Sequence, residues 1–231
     1  MKAVLLSAGF GERLRPLTNN LPKVLVPVNN KPCLQYNIEN LKEQGINEFL
    51  INTHYLPERI KEYFGDGSMF GVQIKYSYEP KILGTSGALN NFKNELTETF
   101  IVIYGDAISN INLKEALLIH KKNNAEATII LDKLRSQKGK GVVIAKNNKV
   151  ISFIEKPERE IPRGLINSGV YILEPSILKK IPQGFSDFGK DILPNLAEEG
   201  KVFCIEHKGY LFDIGNLENL AEAEEFFKNQ K

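Results

Sequence analysis

The stretch Ser7-Ala8-Gly9-Phe10-Gly11-Glu12-Arg13-Leu14-Arg15, with Pro22-Lys23 close behind, combines bare backbone with fixed positive charge. Gly9 and Gly11 let backbone N–H groups approach phosphate oxygens without side chains in the way. Arg13 and Lys23 stand beside them as cations. The dinucleotide fingerprint needs a third glycine where Leu14 stands, and the P-loop needs Gly-Lys-Ser/Thr after its glycines, so neither pattern fits. What remains suits a triphosphate, whose departing pyrophosphate must have its charge dispersed. A turn with solvated basic residues is the plainer alternative; against it, the loop empties from a strand end, where open α/β sheets bind ligands.

Two carboxylates follow a related logic. Asp106 comes just past the apolar run 100–104, and Asp213 sits among Phe212, Ile214 and Gly215, where a charge needs a partner. Mg²⁺ would be such a partner, because this hard ion takes one or two carboxylates together with phosphate oxygens. Taken singly, each Asp could equally be a helix cap or a turn residue. Glu155-Lys156-Pro157 follows a strand-like run and Asn167-Ser168-Gly169 opens another. Glu155 could hold sugar hydroxyls, Lys156 a second phosphate, and Asn167 offers both donor and acceptor. The alternative is a surface ion pair and a turn Asn. His54, His120 and His207 lack metal-ligand spacing, and no Gly-x-Ser-x-Gly or Cys/His arrangement for a covalent nucleophile is present.

The elements that must carry these residues alternate. Residues 3–6, 49–51, 72–78 and 100–104 read as strands, and 33–44, 57–64 and 86–94 as helices, a βαβαβαβ order that predicts a mostly parallel sheet covered by helices. Beyond a helix near 112–122, the runs 128–131, 141–145, 150–154 and 166–173 predict a more antiparallel extension of that sheet. A terminal helix follows with Leu217, Leu220 and Phe227 on one face. The expectation is an α/β, Rossmann-like three-layer sandwich forming a single domain over 1–231, with halves of about 1–112 and 113–231.

Composition bounds the partners. The 231 residues carry 30 Lys plus Arg against 28 Asp plus Glu, a net charge of +2, too balanced for the field that nucleic-acid or anionic-membrane binding uses. Any anion site must therefore be local. No apolar run approaches the roughly 20 residues of a membrane span, and the N-terminus lacks the apolar core of a signal peptide. Cys33 and Cys204 stand apart in apolar surroundings, which predicts buried thiols in a reducing, cytoplasmic setting.

Taken in order, residues 6–18 with Pro22-Lys23, Glu79-Pro80 leading to Leu83-Gly84-Thr85-Ser86-Gly87-Ala88, Gly105-Asp106, Gly141-Val142-Val143, Glu155-Lys156-Pro157, Asn167-Ser168-Gly169 and Asp213-Ile214-Gly215 resemble the sugar-1-phosphate nucleotidyltransferases. These enzymes make nucleotide sugars, including cell-surface polysaccharide precursors. The resemblance implies that Leu6, Ala8 and Gly9 line base and ribose and that Glu79 and Gly84 read the base edge. Gly11 belongs to the same loop. Arg13 and Lys23 would hold the triphosphate and Asp106 and Asp213 the Mg²⁺, these four forming the catalytic set; Gly141, Glu155, Lys156 and Asn167 would hold the sugar phosphate. The chain ends too early for the β-helix that some relatives carry, so none is expected. Asp187-Phe188-Gly189-Lys190-Asp191 with Gly84-Thr85-Ser86-Gly87 looks most like the mannose- and heptose-1-phosphate guanylyltransferases, which puts GTP first, UTP with an N-acetylmuramate-type phosphate second, then dTTP or CTP. A nucleotide-sugar-binding regulatory protein is the non-enzymatic alternative, and a homo-oligomer remains open.

Overall fold

A computed structural model describes residues 1–133 and 137–230. In chain order its first elements are β1 (Ala3–Leu6), β2 (Pro27–Val28), β3 (Lys31–Pro32), α1 (Cys33–Glu43), β4 (Glu48–Thr53), α2 (Pro57–Phe64) and β5 (Gln73–Tyr78). Next come α3 (Gly84–Gly87), β6 (Phe100–Tyr104), β7 (Ala107–Ser109), α4 (Leu113–Lys122), β8 (Ala127–Asp132), β9 (Gly141–Lys146) and β10 (Lys149–Glu155). The last are β11 (Leu165–Leu173), α5 (Leu193–Glu198), β12 (Val202–Glu206), β13 (Leu211–Asp213) and α6 (Leu217–Lys228). The fold is mixed α/β, built on a central sheet. Two compact units divide the chain: an N-terminal unit of Lys2–Ile82, Ile103–Ile111 and Gly209–Lys231, and a central unit of Leu83–Val102 and Asn112–Lys208 with Met1.

In the N-terminal unit β1 pairs in parallel with β4, Leu6 standing opposite Asn52, and β4 pairs in parallel with β5. Ala3, Val4 and Leu5 are fully buried, as a strand covered on both faces requires. The connecting helix α1 turns Leu34, Ile38 and Leu41 inward at 3.6-residue spacing, and all three are completely buried, each contributing about 1.5–3 kcal/mol. A second core gathers Leu14, Val26, Val28, Cys33, Ile108 and Ile214 beneath α6. Asn216 caps that helix, its Oδ1 accepting from the Asn219 N–H at 2.8 Å. Leu220, Ala223 and Phe227 are buried, but Leu217, expected on the same face, is 49 % exposed because it lies in the first turn.

In the central unit the runs expected to extend the sheet pair mainly antiparallel. β11 runs antiparallel to β8, β10 antiparallel to β9 and β12, and β12 parallel to β8. The helix expected over 86–94 is absent. A single α turn, Gly84–Gly87, passes into a 3₁₀ segment, Ala88–Phe92. Glycines at both ends of that turn weaken the helix, and its Ser86 and Gly87 N–H groups both donate to the Ser186 carbonyl at 3.1 Å. Each unit holds one buried free cysteine, Cys33 and Cys204. Among the described residues no helix is long and apolar enough to cross a membrane.

Candidate active site

The glycine loop leaves β1 under restraint at both ends. The Ser7 N–H donates to Asn52 Oδ1 at 2.8 Å, and Thr18 Oγ1 donates to the Gly11 carbonyl at 2.8 Å. Gly11 has φ +69°, a left-handed value that strains other residues, and a Cβ there would lie 3.0 Å from Lys23 Cβ. The loop therefore packs directly against Lys23. Leu14, which spoils the dinucleotide fingerprint, is fully buried and anchors the one-turn 3₁₀ helix Glu12–Leu14, leaving Arg13 exposed.

A short ladder brings the two aspartates together. β7 and β13 pair antiparallel with Asp213 opposite Ala107, and the Ile214 N–H donates to the Asp106 carbonyl at 2.9 Å. Gly105 sets Asp106 against the loop: its N–H donates to the Leu6 carbonyl at 2.9 Å, and a Cβ would come within 2.8 Å of both Leu6 O and Ser7 Oγ. Lys23 Nζ forms an ion pair with Asp106 Oδ2. A point beside Gly215, where its Cβ would stand, lies 3.0 Å from Asp213 Oδ1 and 3.1 Å from Arg13 Nη2. Arg13, Lys23, Asp106 and Asp213 thus converge below one loop. Beneath them the Cys33 thiol is pushed well up, first by burial and then by the charge of Asp106.

The donor set suits Mg²⁺. Two partly buried carboxylates, Asp213 on β13 and Asp106 just before β7, leave most of an octahedral shell to water and phosphate oxygens, which is how this ion is usually held. Among the described residues no group of three or more His, Cys, Asp or Glu could hold a metal without such help.

Glu79, expected to read the base edge, follows directly on β5. It is fully buried, its N–H donating to the Thr53 carbonyl at 2.8 Å and its own carbonyl accepting from His54 Nδ1 at 2.6 Å. Its Oε1 accepts from Asn52 Nδ2 at 2.7 Å. The sequence reading missed Asn52 and Thr18. A polar residue ending the apolar run Phe49-Leu50-Ile51 was the available signal for the first.

The remaining expected residues fall in the central unit. Gly141 pairs with Glu155 across β9 and β10, and the register that pairs Ile166 with Val142 carries Asn167 toward Gly141. The Glu155 carboxylate fills the space that side chains at Gly141 and Gly189 would need. Its pKa is raised, mainly by desolvation and further by Asp187, with Lys156 opposing. Lys156 Nζ stands 3.6 Å from Glu155 Oε1 and is otherwise well exposed. Asn167 sits at a register shift in β11, its Nδ2 donating to Tyr171 Oη at 2.6 Å. Gly84, expected at the base edge, also belongs to this unit, with φ +79° and its Cα against the Ser186 carbonyl. An open cavity of about 370 Å³ lined by His120, Lys121, Asn124, Ala125, Glu126 and Glu174 includes none of these residues, and its chemistry does not bear on them.

A family model described as nucleotidyl transferase matches residues 2–230, nearly the whole chain. This chain belongs to the nucleotidyl transferase family. Within the family it is 36 % identical over 241 residues to a UTP–glucose-1-phosphate uridylyltransferase of Synechocystis sp., covering 96 % of this chain and 62 % of that protein. It is also 36 % identical over 221 residues to the mannose-1-phosphate guanylyltransferase catalytic subunit beta of Xenopus tropicalis, covering 93 % and 61 %. The chain spans about three fifths of the length of these curated relatives. Among solved structures, HddC from Yersinia pseudotuberculosis complexed with GMP-PN superposes with a TM-score of 0.81 at 28 % identity, covering 98 % of this chain and 99 % of that one.

Proposed function

We propose that this chain transfers a nucleotidyl group from a nucleoside triphosphate to a sugar 1-phosphate. A phosphate oxygen of the sugar attacks the α-phosphorus in line, the bond from that phosphorus to the α,β-bridging oxygen breaks, and pyrophosphate leaves with the electron pair. The observation that carries this reading is the β7–β13 ladder, which sets Asp106 beside Asp213 with Lys23 and Arg13 next to an exposed glycine loop. In it the backbone of 8–11 and the cations Arg13 and Lys23 bind and orient the triphosphate, and Arg13 offsets charge on the departing pyrophosphate. Mg²⁺ held by Asp106 and Asp213 would supply charge neutralisation at the phosphates. Glu155, Lys156, Asn167 and the bare backbone at Gly141 hold the sugar phosphate. No enzyme nucleophile is required.

GTP with a mannose- or heptose-type 1-phosphate is the preferred pair, supported by the guanylyltransferase relative and by the GMP-PN complex of the structural neighbour. UTP is the second reading, favoured by the uridylyltransferase relative. The buried, unpaired state of the thiols agrees with a cytoplasmic enzyme. A matrix of GTP, UTP, CTP, ATP and dTTP against a panel of sugar 1-phosphates, read as pyrophosphate release, tests the proposal. Turnover with one GTP pair supports the first reading and turnover with UTP the second; no release from any pair overturns both.

A further inference from the structure

Asn52 is 3 % exposed at the end of a strand whose other residues are mainly apolar, a place where a polar side chain is costly unless every polar atom is paired. Both ends of its amide are paired. The oxygen accepts from the Ser7 N–H at 2.8 Å and the nitrogen donates to Glu79 Oε1 at 2.7 Å. Ser7 is the first residue after β1, beyond the last parallel pair Leu6↔Asn52, so the side chain takes over where the sheet ladder stops. Because a backbone N–H only donates, Ser7 takes the amide oxygen, which turns the Asn52 nitrogen toward Glu79 Oε1. Glu79 is in turn held through its own backbone by Thr53 and His54.

We propose that Asn52 is a positioning residue. Braced by Glu79, it holds the Ser7 N–H and so sets the origin from which residues 8–11 run toward the phosphates. The buried Glu79 carboxylate acts on the nucleotide through Asn52 and the loop. This rests on the reading of that loop as the triphosphate site.

The experiment reverses the polarity of the relay in the full chain. Asn52→Asp keeps an acceptor for Ser7 but sets a carboxylate against Glu79. Asn52→Asp combined with Glu79→Gln restores one donor and one acceptor, the Gln amide now donating to Asp. Three quantities are read: KM and kcat for GTP and UTP, equilibrium dialysis of the same nucleotides with Mg²⁺, and amide hydrogen exchange of 7–11 without ligand. The expected result is a rise in KM and in dissociation constant of about tenfold for N52D, the scale of one buried hydrogen bond, with a smaller change in kcat and faster exchange confined to 7–11. The double variant is expected to return to within about threefold of wild type on the same scale. If N52D does not fold, Asn52→Ala is read the same way. A double variant as impaired as N52D, exchange unchanged at 7–11, or exchange accelerated equally throughout the chain overturns the proposal. Exchange does not depend on turnover, so it still decides the role of Asn52 should no sugar phosphate be converted.

Discussion

Asp106 and Asp213 lie 107 positions apart and meet because three residues on each side of the β7–β13 ladder are in register. If both hold the metal, neither amide substitute can replace the missing charge. Asp106→Asn and Asp213→Asn are each expected to lower kcat by about 100-fold or more, since metal charge stabilisation is worth several kcal/mol. Steady-state pyrophosphate release measures the loss, and full activity in excess EDTA contradicts the assignment. Arg13 differs in kind, being exposed on a loop whose packing rests on Leu14. Arg13→Ala should therefore leave the thermal midpoint within a degree or two while kcat/KM for the triphosphate falls by about two orders of magnitude. Glu155 gives a pH signature. Its raised pKa means that it gains a proton at a higher pH than an ordinary Glu, and a protonated carboxyl is a weaker acceptor for sugar hydroxyls. KM for the sugar phosphate should rise as pH falls. Glu155→Gln should lack that part of the dependence while keeping the part owed to the substrate's own phosphate, whose second pKa is about 6.

At the scale of elements, Gly105 shows how closely strand ends are fitted. Gly105→Ala brings a methyl within 2.8 Å of the Leu6 carbonyl and Ser7 Oγ, so Asp106 must shift away from the loop. Activity should drop at least tenfold, an effect of displaced geometry rather than lost charge, and activity like wild type would mean that the strand end yields. Much of this scale was legible. The runs at 3–6, 72–78 and 100–104 fall on strands and the 3.6-residue pattern after Pro32 on α1, because burial imposes those periods directly. The ladder was not legible, since Ala107-Ile108-Ser109 and Leu211-Phe212-Asp213 are too short for periodicity and pair only through distant chain. The broken helix at 84–92 escaped for a similar reason: the Ser186 carbonyl that takes its first-turn N–H groups lies about a hundred positions away. In the site, glycine spacing and flanking apolar runs pointed to the loop and to both aspartates. The Asn52 relay did not show, because nothing in the sequence says which amide meets a strand end.

For the whole molecule, stability should fall on the acid side, and His120 is one cause. It is buried in the central unit, with Thr128 Oγ1 at 2.8 Å from Nδ1 and Glu174 Oε1 at 3.0 Å from Nε2. Desolvation lowers its pKa in the folded chain despite Glu174, so the unfolded chain, near the ordinary value of about 6.5, takes the proton first. The stability it protects is present above that value and is lost as pH falls through the lowered one. Urea midpoints should decline below about pH 6.5, and His120→Gln should flatten that limb; an unchanged limb would assign it to other groups.

The two buried thiols turn this chain into its own recorder of breathing. Cys33 lies in the core of the N-terminal unit with its pKa raised, and Cys204 lies on β12 of the central unit with its pKa pushed up to about 12, so both are protonated and shielded at neutral pH. Alkylation must wait for local opening, and its rate clocks each unit separately without any introduced label. Saturating nucleotide should slow alkylation of Cys33 more than of Cys204, and sugar phosphate the reverse, as followed by mass spectrometry of tryptic peptides. Equal slowing of both by either substrate would show that the units open as one.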